Sequence, residues 1–169
     1  MSKKTLLILL AILFVATSSF AQKGNKALGL NLGYGSYNEN VTLGAKFNYG
    51  LTNKIQLSPS LNYFFKKDDV NGLELNVNAH YLFNIAPHVN LYPLAGLVLV
   101  CWDHRYKIGP IFGEKGYNLH NYVTRFGLNL GGGINFRTAD SFSIGVEMKY
   151  TIIHDVGQFV PMLHLMYHF

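Results

Sequence analysis

Five charged residues, Lys46, Glu74, Arg125, Glu147 and Lys149, are the first candidates for chemistry, because each alternates along the chain with large apolar neighbours. In an extended chain that alternation puts the charges on one face and the apolar groups on the other. Two carboxylates among three cations can pair into a hydrogen-bonded network that fills an interior, or they can line a narrow ion path. In either arrangement a buried charge must be paired or solvated. Glu74 and Glu147 are the natural acceptors, with Arg125 and Lys149 near one mouth. The seven histidines give no metal set, being spread over different strands, a turn and loops. His154-Asp155 is an adjacent acid/base pair directly after a strand end, and no serine follows it to serve as a nucleophile. No cofactor is implied and no enzyme is expected.

A second group lies in the longest connection, Cys101–Val123. Trp102, Arg105, Lys107 and Lys115 fall there, and Lys66 and Lys67 in a neighbouring connection, Lys66–Gly72. Cations interleaved with aromatics on an exposed loop can hold sugar, phosphate or a protein surface. The plainer alternative is a loop that packs over a mouth and makes only nonspecific contacts. Cys101 is the one cysteine, so no internal disulfide is possible, and it reads as a small hydrophobe.

The elements that must position these residues are strands. Period-two alternation covers Ala27–Gly35, Val41–Gly50, Ile55–Phe65, Leu73–Phe83, Val89–Val100, Thr124–Phe136, Ser141–Ile153 and a last strand running to Phe169. Eight is an even number, and each strand has about the 9–11 residues a tilted membrane-spanning strand needs. Connections alternate between tight (Leu51–Lys54, Asn84–His88, Arg137–Asp140) and, in two cases, longer (Lys66–Gly72, Cys101–Val123). Pro59, Pro93 and Pro161 fall inside strands, where a missing N–H must produce a bulge or a local loss of pairing.

Alternation alone does not say which face is outside. The non-apolar face is Gly, Asn, Ser and Gln with few charges, which suits the filled interior of a small barrel better than a water-facing surface. The apolar face is layered. Tyr49, Tyr81, Phe83, Phe136, Phe142, Tyr167 and Phe169 lie near the short turns. Tyr34, Tyr63, Phe65, Phe126, Tyr150 and Phe159 lie near the other ends, with an aliphatic band between. Two aromatic girdles around such a band match the two membrane interfaces. The reading is all-β, an eight-stranded antiparallel up-and-down transmembrane β-barrel, with both termini in the periplasm.

The amino-terminal end agrees. Lys3 and Lys4 precede an apolar run, Leu6 to Val15, and Ser19-Phe20-Ala21 is a small-x-small cleavage signal. Residues 1–21 read as a cleaved secretory signal peptide, leaving 22–169 as one barrel domain. Without the two leader lysines, twelve basic residues face nine acidic ones, so the pI near 9.3 does not point to nucleic acid. The charged content of 14% is well below the roughly 25% of a soluble domain, as lipid-facing strands require.

The chain resembles the outer-membrane β-barrel domain proteins, the small OmpA/OmpX-like barrels often labelled porin-family. SLNYFFKKDD (Ser60–Asp69), AHYLF (Ala79–Phe83), LYPLAGL (Leu91–Leu97), RFGLNLGGGINF (Arg125–Phe136), VEMKY (Val146–Tyr150) and the terminal VPMLHLMYHF carry the likeness. The resemblance implies an integral protein of a Gram-negative outer membrane. Envelope stabilisation or presentation of surface loops is the leading role, with lipopolysaccharide and outer-membrane lipid as neighbours. A narrow channel for ions or small solutes is the alternative, and a lipid A-modifying barrel enzyme the minor one. It also implies that Tyr167 and Phe169, in the last strand, form the recognition signal for the barrel-assembly machinery.

Overall fold

The computed structural model describes residues 23–108, 117–139, 141–154 and 156–169, without the side chains of 106–108 and 117–120. The expected signal peptide lies outside the described residues. The described chain is almost entirely strand: β1 Lys26–Gly35, β2 Asn40–Gly50, β3 Ile55–Lys67, β4 Val70–Tyr81, β5 Phe83–Ala86, β6 Val89–Ile108, β7 Tyr117–Ala139, β8 Phe142–Ile153 and β9 Val156–His168. β4 and β5 are two parts of one stave, separated at Leu82 and both paired with β6. Every sequential neighbour pairs antiparallel. The β1–β9 and β4–β6 ladders close the ring, so eight staves form a barrel without an open edge. Closure is what a spanning sheet needs, because lipid offers no partner to an unpaired edge.

The faces sort as the alternation requires. Leu28, Leu30, Leu32, Leu43, Leu61, Leu97, Leu128, Leu130, Ile144, Leu163 and Leu165 are all exposed on the outside. Asn31, Lys46, Asn62, Glu74, Asn76, Asn129, Glu147 and Lys149 are buried inside. A belt of exposed leucine and isoleucine this continuous belongs in hydrocarbon rather than water. The girdle aromatics touch one another, with Tyr81–Phe83 ring centroids 4.9 Å apart, Phe142–Tyr167 5.1 Å and Tyr63–Phe65 5.5 Å.

The three prolines cost pairing and make no bulges. The β2–β3 ladder skips Phe47 and Asn48, opposite Pro59 and Ser58, and resumes in the same register. Pro93 faces the β4–β5 break, where the Leu82 N–H turns to the Lys54 carbonyl at 2.7 Å. The β1–β9 ladder stops one step short of Pro161. Beyond it the Ser36 N–H donates to the Phe159 carbonyl, and the Ser36 hydroxyl accepts the Phe159 N–H.

Two expected loops are corrected. Lys66–Gly72 is a tight hairpin turn, with Asp68 and Asp69 at φ of 49° and 61°. Consecutive left-handed residues match the right-handed twist of the flanking strands, and aspartate tolerates that conformation. Cys101–Val123 is not a loop over most of its length. β6 and β7 pair without interruption from Cys101↔Thr124 to Ile108↔Tyr117, forming a hairpin that outreaches the other staves. β8 pairs β7 only from Gly127 onward.

Candidate functional site

The lumen holds two buried ion pairs and their hydrogen-bonded surroundings. Lys46 on β2 bonds Glu147 on β8, across the barrel rather than along one ladder. The Tyr92 hydroxyl donates to the same carboxylate oxygen at 3.0 Å, and the Tyr92 ring stacks on His80 at 4.4 Å. Lys149 on β8 donates to Glu74 on β4 at 2.5 Å and to the Asn76 amide oxygen at 2.9 Å. Asn76 and Asn62 each donate to Glu74, at 2.7 and 3.0 Å. Asn129 donates to Asn76 and Asn78, and Thr151 donates to Asn129. Two cations and two anions cancel, and Glu147, Glu74 and Lys149 each have a partner beyond the ion pair, as buried pairs require.

Large inward side chains fit because a glycine faces them across the ladder. Tyr92 pairs Gly133, and a Cβ there would meet the Tyr92 hydroxyl at 2.4 Å. Trp102 pairs Gly72, where a Cβ would meet the indole at 2.4 Å. The glycine-rich inner face is therefore a mould for the residues that fill the bore.

Of the five lumen candidates, the structure brings together Lys46 with Glu147 and Glu74 with Lys149, and leaves Arg125 apart. Arg125 is half-buried at the loop end and donates to the His154 carbonyl at 2.8 Å. Sequence reasoning missed Tyr92, His80 and the amide lattice, since a Tyr or Asn on a strand face carries no signal of its partner.

Above the network an apolar cluster of Phe64, Val98, Val100, Trp102 and Ile153 lies toward the loop end. Trp102 is a correction, for it was expected on an exposed loop and is instead buried, its ring centroid 5.2 Å from that of Phe64. It sits at an inward position of a strand that continues past the predicted end, and burying an indole inside the mouth removes a large apolar area from water. A second cluster, Leu82, Tyr92 and Leu94, lies toward the turn end.

The remaining loop candidates are at the loop-end rim. Lys66 pairs with Asp69 at 2.5 Å, and Arg105 with Asp103 at 3.2 Å. Lys67 bonds Glu39, a hydrogen bond that holds the Glu39 carboxyl below its usual range and raises the Lys67 ammonium. Such solvent-exposed pairs contribute little stability. The side chain of Lys107 and all of Lys115 and Asp155 lie outside the described residues. Among the described residues no three of His, Cys, Asp and Glu converge as a metal site. Tyr167 and Phe169 are exposed side by side at the turn end, 6.3 Å apart, and the Phe169 N–H donates to the Lys26 carbonyl at 3.0 Å.

Solved structures of the same shape include bacterial β-barrels. Ail, the attachment invasion locus protein of Yersinia pestis, matches with TM-score 0.62 at 20% identity over 88% of this chain and 100% of that one. The N-terminal β-barrel domain of Pseudomonas aeruginosa OprF matches at 0.64 and 18%, over 88% and 98%. Neisserial surface protein A matches at 0.65 and 13%, over 88% and 98%. At these identities the likeness is one of fold. A search of curated protein sequences gave no match. The family model of the outer membrane protein beta-barrel domain matches residues 7–169, so this chain belongs to that family and is an integral outer-membrane barrel.

Proposed function

We propose that this barrel is a non-enzymatic surface protein whose working part is the β6–β7 hairpin, with the barrel serving as a sealed anchor. The observation that carries this is the contrast between the two parts. The lumen is filled by paired charges and amides, with the Trp102 cluster above them. The hairpin extends past every other stave, and the β7–β8 ladder begins only at Gly127. An exposed strand edge offers unpaired N–H and C=O groups to another chain or to a polar surface. Arg105, Lys107 and Lys115 add cations that favour phosphate-bearing or acidic partners such as lipopolysaccharide. Lys66 and Lys67 flank the same rim. In this orientation the turn end and both termini face the periplasm. Ail has been crystallised with the heparin analogue sucrose octasulfate, so a barrel of this fold can hold a polyanion.

The test replaces residues 105–120 with a two-residue Asn-Gly turn and measures binding of the barrel to lipopolysaccharide-containing vesicles. Binding should fall while the heat-dependent gel shift of a folded barrel persists. Unchanged binding would remove the hairpin from the account.

A further inference from the structure

At the turn end the barrel contains a polar cavity of about 170 Å³ that no part of the surface reading uses. Its walls include Arg137, Asn48, Asn135 and Gln56, and no carboxylate among the described residues lines it. Two of the three amides have their oxygens engaged, and the third has its oxygen buried without a partner. The Asn48 oxygen accepts from the Ser58 hydroxyl at 2.7 Å, the Asn135 oxygen contacts His164 Nε2 at 2.5 Å, and the Gln56 oxygen is buried. Their NH2 groups have no partner among the described residues and are not sealed from the cavity. Arg137 adds a guanidinium. Arg137 and these three amides therefore give the wall a set of donors, beside the further amides of Asn25 and Asn90.

Charge distribution points the same way. Lys23, Lys26, Lys54 and Arg137 are the charged side chains described at this end, with no acid among them, whereas at the other end Glu39, Asp68, Asp69 and Asp103 mix with Lys66, Lys67, Arg105 and Arg125. Asp140, outside the described residues, is the one acid that the sequence puts among these turns.

We propose that the turn-end cavity binds a phosphate group, with Arg137 as the charged fork and the Asn48, Gln56 and Asn135 amides as neutral donors. A planar guanidinium matches two oxygens of such an anion, and charge-assisted bonds of this kind are about twice as strong as neutral ones. Phosphate reaches a cavity at this height either as a soluble anion or as the headgroup of an anionic lipid. The amide donors serve both.

The experiment uses the refolded barrel in phosphatidylcholine nanodiscs, titrated with inorganic phosphate while the side-chain NH2 resonances are followed by NMR. The Asn48, Gln56 and Asn135 signals should shift saturably. Arg137→Gln should weaken binding about tenfold or more with the spectrum still dispersed. Should that variant fail to fold, Arg137→Lys, which keeps the charge and loses the fork, must still bind more weakly than the parent. Signals that do not move, or variants that bind as tightly as the parent, overturn the proposal. Nanodiscs containing phosphatidylglycerol separate the two sources. If they move the same signals and compete with phosphate, the site is a headgroup site; if they leave the titration unchanged, the ligand is soluble.

Discussion

Glu147 meets Lys46, the Tyr92 hydroxyl and, at 3.8 Å, His80, all inside the bore. Removing its charge leaves the Lys46 ammonium buried without a counter-ion, which costs about 3–5 kcal/mol. Glu147→Gln should therefore lower the urea midpoint of unfolding from lipid vesicles substantially. Replacing both partners, as Lys46→Met with Glu147→Leu, should cost less than Glu147→Gln alone, and a larger loss in the double variant would contradict the pairing. Gly72→Ala tests the moulded inner face. The three atoms its Cβ would meet first all belong to the Trp102 ring, at 2.4, 2.5 and 3.1 Å. The overpacking should cost about 1–3 kcal/mol, and Trp102→Leu should restore part of it. The inward charges were legible because period two separates faces. Their pairing was not, because Lys46 and Glu147 are 101 residues apart and meet only across the closed barrel.

Among the elements, the staves that cross the apolar band were legible to within a few residues, and the loop-end parts of β6 and β7 were not. A strand between lipid and lumen must alternate. A strand standing in water has no apolar face to keep, so the alternation that marks it is lost. The sequence of that hairpin reads as a cationic, aromatic loop for this reason. The in-strand prolines gave the reverse case, where the pattern flagged a defect and only the ladders showed its form. The β1–β9 register puts Pro161 opposite Tyr34, whose carbonyl lacks the N–H that proline cannot supply. Pro161→Val should restore one ladder bond and raise stability by about 0.5–1.5 kcal/mol, read as a higher urea midpoint; a lower midpoint would show that the ring's rigidity matters more. Phe169 sits outside the barrel wall with its side chain 64% exposed, so it adds little to the folded state. Phe169→Ala should refold in detergent as well as the parent yet give less heat-shifted protein in outer membranes. Normal membrane levels would remove Phe169 from assembly.

As a whole, the molecule divides its labour by height. A lipid-facing belt holds it in place, paired charges and amides fill its centre, and an apolar cluster lies below a projecting hairpin. The anchor was readable from composition and alternation, while the plug depended on where Trp102 and Phe64 meet. A small solute or ion would have to displace the indole and then break two buried ion pairs. Single-channel recording in planar bilayers tests this most directly. The reconstituted barrel, shown to be folded by its heat-dependent gel shift, should give no stepwise current across the working voltage range. Regular open-channel steps from the same preparation would contradict a sealed lumen and make conduction the function.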